Sequence, residues 1–172
     1  MSGEELLEIM QRRRSVRSYS GEPVPMEKLN LILQAGMLAP SGRAIRPWEL
    51  IVVRDKQKLI DLSSSRMGGA ARMLAGADLA IAVVGDEEKS DVWTEDCCCV
   101  MENMHLMASA LGVASCWIHR AKEEFESEEG KAILKRLGIE GDYEGIGNLI
   151  LGYAAKPANA PAPRKADYIY RI

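Results

Sequence analysis

A long apolar segment in the second half of the chain sets the strongest limit on how this protein can fold. It covers residues 90–111, and from Cys97 onward it is apolar on nearly all sides, interrupted mainly by Glu102, Asn103 and His105. A helix that is hydrophobic all round has to be buried inside a domain or an interface. Because the chain has 172 residues, we expect a second subunit to cover part of this helix.

Strand and helix patterns alternate around this segment. The apolar run at residues 78–84 is typical of a strand that is covered on both faces. Further strands are predicted at residues 48–53, at 113–118 and, after a stretch punctuated by glycines at 138–147, at 149–151. Helices are predicted at residues 4–13, between Pro25 and Pro40, at 56–62 and at 122–137, with a flexible stretch around Ser63–Ser65 and Gly68–Gly69. The alternation predicts one domain of the α/β or α+β class around a single sheet.

The C-terminal segment, from about residue 154 to 172, differs in kind from the rest. Pro157, Pro161 and Pro163 make it stiff and extended. Residues 168–172 resemble a strand, with Tyr168 and Tyr170 on one face. A strand beyond an extended arm is best used by pairing with a sheet elsewhere, such as that of a partner subunit.

Charge and composition exclude several classes of protein. The formal net charge of -3 argues against a general nucleic-acid binder. No apolar run reaches the ~20 residues that span a bilayer. The acidic residues at 4–5 are the wrong charge for the start of a signal peptide. We therefore expect a cytoplasmic protein.

The four cysteines are expected to fill the core rather than to bind a metal. Cys97, Cys98 and Cys99 are adjacent, and Cys116 is the fourth. Successive residues of a helix point about 100° apart, so the triplet cannot converge on one ion. A redox or metal role for the cysteines remains the alternative.

A basic cluster near the N-terminus is the first candidate for chemistry. Arg13, Arg14 and Arg17 lie with Ser15 where a helix gives way to a turn. The planar guanidinium group offers paired donors that match phosphate oxygens. The alternative is a solvated helix end, because arginine also suits a helix C-terminus.

The second candidate is a turn that leads into the strand at 48–53. Ser41-Gly42 follows Pro40, so the chain leaves its helix abruptly and is expected to leave backbone N–H groups free. Glycine also permits the close approach of a ligand. The alternative is an ordinary helix–strand connection.

Four motifs in order make the chain similar to the nitroreductase family of FMN-dependent oxidoreductases. The resemblance covers nearly the whole chain, with a short central region. Its motifs are Arg13-Arg14-Ser15-Val16-Arg17; Ala39-Pro40-Ser41-Gly42 with Pro47-Trp48; Ala110-Leu111-Gly112-Val113 leading into Cys116-Trp117-Ile118; and Leu151-Gly152-Tyr153 before Arg164-Lys165.

The resemblance implies a role for each matched segment. The first segment would hold the phosphate, the ribityl chain and part of the ring's polar edge, through Arg13, Arg14, Ser15 and Arg17. Late basic positions, Arg164 and Lys165, would reach the phosphate. The isoalloxazine ring would meet Pro40, Ser41 and Gly42, usually of the other subunit, and on one face Trp117, Ile118 and His119.

The family also implies a fold and an assembly. We expect an α+β fold of three layers with a mostly antiparallel central sheet flanked by helices. We further expect a homodimer with two flavins at the interface, in which the C-terminal arm adds a strand to the partner. Both expectations agree with the buried helix and the terminal strand pattern.

Two positions depart from the family pattern. After Ser41-Gly42 the family commonly has Asn and, two residues later, Gln, where this chain has Ala44 and Arg46. Ala44 cannot hydrogen-bond the ring. Arg46 would place a cation near the pyrimidine side, which would favour the anionic reduced flavin and raise its potential.

The two histidines have separate interpretations. His119 is either a histidine that bonds backbone or a group at the flavin face that contacts substrate or donates a proton. His105 follows Glu102 by three residues, which resembles half of a di-iron motif. Because a second copy is absent, we expect a structural role for His105.

The resemblance implies an enzyme that binds FMN, accepts hydride from NADH or NADPH and passes electrons to a small organic acceptor in a ping-pong cycle. Nitroaromatics and quinones are the family's usual test substrates. The alternative is a flavin-binding sensor or carrier without robust turnover, because the two usual amides are replaced. A nucleotide-binding domain with a P-loop or dinucleotide fingerprint is disfavoured, since neither motif is present.

Overall fold

A sheet of four antiparallel strands forms the middle layer of the protein. The structure is a computed structural model that describes residues 2–55, 57–58, 61, 68–165 and 167–172. The strands lie in the order β1-β2-β4-β3. They are β1 (Trp48–Val53), β2 (Leu79–Asp86), β3 (Ala114–Ile118) and β4 (Tyr143–Gly152). The predicted α+β class with an antiparallel sheet is confirmed.

Helices cover both faces of this sheet. On one face α2 and α4 pack over alternate residues of β2 and β4, including Ile81 and Leu149. On the other face α3, α5 and α6 cover Ala80, Ala82 and Ile150. Every residue of β2 is buried, as its apolar run predicted. The helices are α1 (Gly3–Arg12), α2 (Met26–Met37), α3 (Gly68–Gly76), α4 (Trp93–Ala110), α5 (Ala121–Glu126) and α6 (Glu128–Leu137), with a 3-10 turn at Gly42–Ala44.

Two of the four glycines before the last predicted strand, Gly145 and Gly147, lie inside β4. The strand begins at Tyr143, and a bulge separates the pairs that Gly147 and Gly145 make with β2. A Cβ on Gly145 would lie 2.2 Å from the Ala121 carbonyl oxygen, and one on Gly147 would lie 2.4 Å from Trp117 Nε1. These glycines therefore allow neighbouring groups to approach the strand and do not end it.

Two other boundary predictions were wrong. The helix predicted over 122–137 is two helices, because Ser127 is extended and caps α6. Gly68-Gly69, predicted to be flexible, begins α3. Most of the helix predicted at 56–62, and all of Ser63–Ser65, lie outside the described residues.

The long apolar helix α4 has one broad buried face rather than a buried circumference. Cys97, Met101 and Met104 are fully buried, whereas Glu102 and Cys99 are exposed. The four cysteines therefore differ in burial: Cys116, like Cys97, is buried, and Cys98 is half-buried. The prediction that cysteines fill the core holds for Cys97 and Cys116 and is wrong for Cys99.

The C-terminal arm is extended and exposed. Residues 156–165 and 167–172 carry no regular secondary structure, so the strand predicted at 168–172 is absent from the single chain. Its pairing with a second subunit stays a prediction. Among the helices of the described residues, none is both long and apolar enough to cross a membrane.

Candidate functional site

The basic cluster lies along the outer edge of the sheet. The Val16 N–H donates to the Ser115 carbonyl oxygen of β3 at 2.9 Å, next to a parallel bridge between Ser15 and Ser115. Farther along, the Ala155 N–H donates to the Ser18 carbonyl oxygen at 3.0 Å. The segment is thus held between strand β3 and the start of the C-terminal arm.

A cavity of about 720 Å³ opens between this segment and the arm. Five cationic residues line it, and no Asp or Glu of the described residues does. Such a concentration of donors without carboxylates is typical of an anion site. The lining cations are Arg13, Arg14, Arg17, Lys156 and Arg164, joined by Ser15 and Ser18.

Arg13 is held from behind by a buried histidine of α4. Its Nη1 lies 2.9 Å from His105 Nε2, and His105 Nδ1 lies 2.6 Å from Ser115 Oγ. Burial, followed by the nearby Arg13 charge, lowers the pKa of His105 to about 4. The imidazole is therefore neutral near pH 7. His105 therefore has a structural role, as expected, and it supports the cavity wall through its contact with Arg13.

Arg14 and Arg17 bond to nearby carbonyl oxygens. Arg14 Nη1 donates to the Gln11 and Arg13 carbonyl oxygens, both at 2.6 Å, so Arg14 helps to close the C-terminal end of α1. Arg17 Nη1 donates to the Ser15 carbonyl oxygen at 3.3 Å. Arg14 therefore combines the helix-end role with a place in the cavity wall.

The layer beneath the segment is uncharged. The Tyr19 hydroxyl donates to the Val16 carbonyl oxygen at 2.7 Å, and burial raises the pKa of Tyr19 far above its usual range. Burial also raises the pKa of the Cys116 thiol, against smaller opposing effects of Arg17 and of a hydrogen bond with Ser15. Both groups stay protonated near neutral pH, so the cavity keeps its positive charge.

The second candidate segment, around Ser41-Gly42, is a strained loop. Arg43, Ala44 and Arg46 have φ values of 53°, 57° and 54°, in the region that favours glycine. Each such residue costs about 1 kcal/mol. The Arg46 N–H donates to Ser41 Oγ at 3.0 Å, which helps to hold the loop in this shape. Pro40, before the loop, is exposed.

A buried carboxylate of α4 holds the same loop. The Gly42 N–H donates to Asp96 Oδ1 at 2.8 Å, so the expectation of a free N–H at Gly42 was wrong. A Cβ on Gly42 would lie 2.6 Å from Val92 Cγ2, so the glycine allows close contact within the chain. Asp96 Oδ2 is buried and has no hydrogen-bond partner among the described residues.

The third candidate segment ends strand β3. Ile118 is buried, His119 is exposed, and the rings of Trp117 and His119 lie 5.9 Å apart. Trp117 Nε1 is buried without a partner in the part of the chain that the structure describes. A buried polar atom without a partner is rare in folded proteins.

The structure brings together some of the predicted site residues and not others. Arg13, Arg14, Ser15, Arg17 and Arg164 share the cavity. Outside its lining are Lys165, whose Nζ lies 6.0 Å from the centre of the Tyr168 ring, and the two segments at 40–46 and 117–119.

Sequence reasoning did not predict two contacts that α4 makes with the candidate segments. A structural role was expected for His105 but not its contact with Arg13, and Asp96 was not considered. The only signal for either is a polar residue on an otherwise apolar helix face, which is also the pattern of an exposed position. Pairing across the fold, and not spacing along the chain, reveals both contacts.

Comparison with known proteins decides the family of the chain. The sequence profile of the Nitroreductase family matches residues 10–72 and 61–153. The chain belongs to the nitroreductase family. The resemblance inferred from the four motifs is thereby confirmed.

Relatives of this nitroreductase family member match over most of their length. This chain is 38% identical over 154 residues to a protein of Archaeoglobus fulgidus named "Putative NADH dehydrogenase/NAD(P)H nitroreductase". The match covers 87% of this chain and 86% of the relative. An FMN-dependent nitroreductase from Clostridium difficile R20291 is 37% identical with a TM-score of 0.80, covering 94% and 95% of the two chains. A nitroreductase with bound FMN from Bacteroides fragilis is 31% identical with a TM-score of 0.84, covering 98% of each chain.

Proposed function

We propose that this protein is an FMN-dependent oxidoreductase that takes hydride from NAD(P)H and passes electrons to a small organic acceptor. The observation that carries the proposal is the cavity lined by five cations and no described carboxylate, in a chain of the nitroreductase family. A nitroaromatic or quinone-like acceptor, used in a ping-pong cycle, is part of the proposal.

The cavity fits the phosphate end of FMN. Arginine forks and a serine hydroxyl match the donors that a phosphate dianion needs. We assign this end to Arg13, Ser15, Arg17 and Arg164, with Arg14 at the edge because its Nη1 already serves two carbonyl oxygens. Lys165, which does not line the cavity, stays a prediction.

The ring end is proposed to be completed by two segments that lie outside the cavity lining. One is the loop with Pro40, Ser41, Gly42 and Arg46, contributed by a partner subunit. The other is Trp117, Ile118 and His119. The partnerless Trp117 Nε1 is in one of these segments, and the partnerless Asp96 Oδ2 lies beneath the other. Trp117 Nε1 and Asp96 Oδ2 are thus two buried polar atoms at these segments whose hydrogen bonds the described residues do not supply.

The protein's own part in the reaction is binding and orientation. FMN, when bound, supplies the hydride chemistry. The cations hold the phosphate, and the strained loop presents its backbone in a fixed shape. His119 is exposed and is the candidate to contact an acceptor or to donate a proton to it.

We further propose that the protein works as a homodimer, because several apolar surfaces of the single chain lack cover. No residue of α1 is buried, and Leu7 and Met10 are 53% and 45% exposed. Tyr168 and Tyr170 of the arm are 65% and 83% exposed. A second copy would cover these surfaces and supply the ring-side loop.

A second candidate function is a flavin-binding sensor or carrier. It is favoured by Ala44, which stands in the left-handed region and has no side-chain group to bond the ring. This candidate shares the cofactor site and differs only in turnover.

Flavin binding and steady-state turnover test the proposal. The full-length protein should purify yellow or take up added FMN. It should then oxidise NADH or NADPH with a quinone as acceptor. Protein that holds FMN but oxidises neither nicotinamide would favour the sensor or carrier. Colourless protein that refuses FMN would overturn both functions.

A further inference from the structure

His105 is a buried residue that touches the cavity wall without lining the cavity. It is 3% exposed and lies in α4, between Arg13 on one side and Ser115 on the other. Its two ring nitrogens each have one partner, at 2.9 Å for Nε2 and 2.6 Å for Nδ1. A buried imidazole with both nitrogens engaged has a defined orientation.

The partners also define which nitrogen carries the proton. A guanidinium group can only donate, so Arg13 Nη1 donates to His105 Nε2, which must hold a lone pair. The single proton of the neutral ring is then on Nδ1, which donates to Ser115 Oγ. The low pKa of His105 supports this neutral form. Protonation of Nε2 would instead set two cations against each other.

Ser115 anchors this chain of hydrogen bonds to the strand that holds the basic cluster. Its side chain is buried, and its carbonyl oxygen accepts from the Val16 N–H at 2.9 Å. One residue of β3 thus holds the backbone of the cluster directly and, through His105, the side chain of Arg13.

We propose that His105 is a positioning residue that fixes the Arg13 guanidinium so that its remaining N–H groups bind the phosphate of FMN. This inference rests on the proposed function. A long side chain that is ordered before the ligand arrives loses little freedom on binding, and such preorganisation increases affinity. Because His105 is absent from the cavity lining, it acts through Arg13.

Titration of the full-length apoprotein with FMN and with riboflavin, which lacks the phosphate, tests the role. His105→Phe should weaken FMN binding about ten-fold and leave riboflavin binding within about two-fold of wild type, since one charge-assisted hydrogen bond is lost. His105→Asn keeps a donor near Nδ1 but no acceptor for Arg13, so it should behave like His105→Phe. His105→Gln places a carbonyl oxygen near Nε2 and should restore FMN binding to within about three-fold.

Two further variants separate positioning from packing. Asn103 lies in the same helix as His105, and Asn103→Ala removes the 3.1 Å hydrogen bond from Asn103 Nδ2 to the Ala35 carbonyl oxygen of α2. It should lower the free energy of unfolding and leave FMN affinity unchanged. The double variant Arg13→Gln/His105→Phe should bind FMN no more weakly than Arg13→Gln alone, because the two residues act as a unit.

The outcomes distinguish this inference from the proposed function. If Arg13→Gln binds FMN like wild type, Arg13 does not hold the phosphate and the role of His105 is overturned with it, whereas the protein remains a flavin-binding protein. If Arg13→Gln weakens FMN binding but His105→Phe does not, only the role of His105 is overturned. Equal losses for FMN and riboflavin, or additive losses in the double variant, also overturn it. Should His105→Phe fail to fold, the contrast between the Asn and Gln variants decides.

Discussion

Among single residues, Glu124 links the stability of the fold to pH. It lies in α5 at 6% exposure, and its Oε2 accepts from Asn148 Nδ2 at 2.6 Å. Burial raises the pKa of Glu124 to about 7, an effect that the Asn148 hydrogen bond only partly offsets. The folded protein therefore holds this proton more tightly than the unfolded chain does. The stability that Glu124 contributes is complete at low pH and is lost as the pH rises from the ordinary 4.5 through about 7.

Glu124→Gln should abolish this dependence, because the amide has a similar shape and cannot ionise. Between about pH 5 and about pH 8, wild type should lose about 2 kcal/mol of unfolding free energy relative to the variant. Denaturant titrations of both proteins at each pH measure the difference. The pKa of His105 is lowered in the folded protein, so the stability that His105 contributes is lost as the pH falls below its ordinary pKa of 6.5. That effect is common to both proteins and cancels. Parallel pH profiles would contradict the prediction.

At the scale of elements, the break between α5 and α6 depends on one capping serine. Ser127 Oγ accepts from the Gly130 N–H at 3.1 Å and donates to the Glu124 carbonyl oxygen at 2.6 Å. A Cβ on Gly130 would lie 2.1 Å from that same carbonyl oxygen, so only glycine lets α6 begin so close to α5. The amphipathic pattern is continuous across the break and does not reveal it.

Ser127→Ala should therefore lower the free energy of unfolding by about 1 kcal/mol. Ser127→Asp retains the acceptor for the Gly130 N–H and should lose less than half as much. Denaturant titration at neutral pH compares the two variants with wild type. Equal losses in both variants would mean that the bond to the Glu124 carbonyl oxygen, and not the cap, matters.

At the scale of the whole molecule, the proposal of a homodimer depends on uncovered apolar side chains. They lie on α1, at the end of α2 and on the C-terminal arm, where Met37, Leu38 and Ile169 are 64%, 75% and 71% exposed. Patches of this kind on a folded chain mark interaction sites. The described residues of the arm from 156 onward are exposed and carry no regular secondary structure.

Replacing the two arm tyrosines should weaken the proposed homodimer. In Tyr168→Ser/Tyr170→Ser, the dissociation constant should rise about 100-fold, since two large aromatic anchors are lost. Sedimentation over a range of protein concentrations measures it. Leu137→Ser is the matched control, because Leu137 is 52% exposed in the charged helix α6. A wild-type protein that sediments as a monomer would contradict the dimer proposal. An equal rise of the dissociation constant in Leu137→Ser would contradict the role of the arm.

The two sheet strands with the clearest patterns show how far local reasoning reaches. Strand β1 was predicted with its observed bounds, and β2 was predicted as a strand covered on both faces. Both predictions follow from local sequence, because a run of apolar side chains has to be buried whatever the position of the strand in the sheet. The start of β4 was missed, since its glycines serve the approach of Ala121 and Trp117 from other elements.

The candidate site divides in the same way. Arginine and serine side chains of the basic cluster were recognisable because phosphate chemistry requires those groups. Their surroundings were not recognisable. The Arg13–His105 contact joins residues 92 positions apart, and the Gly42–Asp96 bond joins residues 54 apart. No local pattern encodes such pairs.

Residue order alone was thus enough for the family, through four motifs in order, and for the cationic character of the site, through its arginines and serine. The antiparallel α+β class came only through that family resemblance, because local periodicity left α/β and α+β both open. The tertiary structure decided that five cations meet in one cavity, that α4 contributes His105 and Asp96 to hold the two candidate segments, and that the arm is uncovered. The physical reason is that hydrogen-bond geometry and burial depend on distances between elements, which form only when the chain has packed.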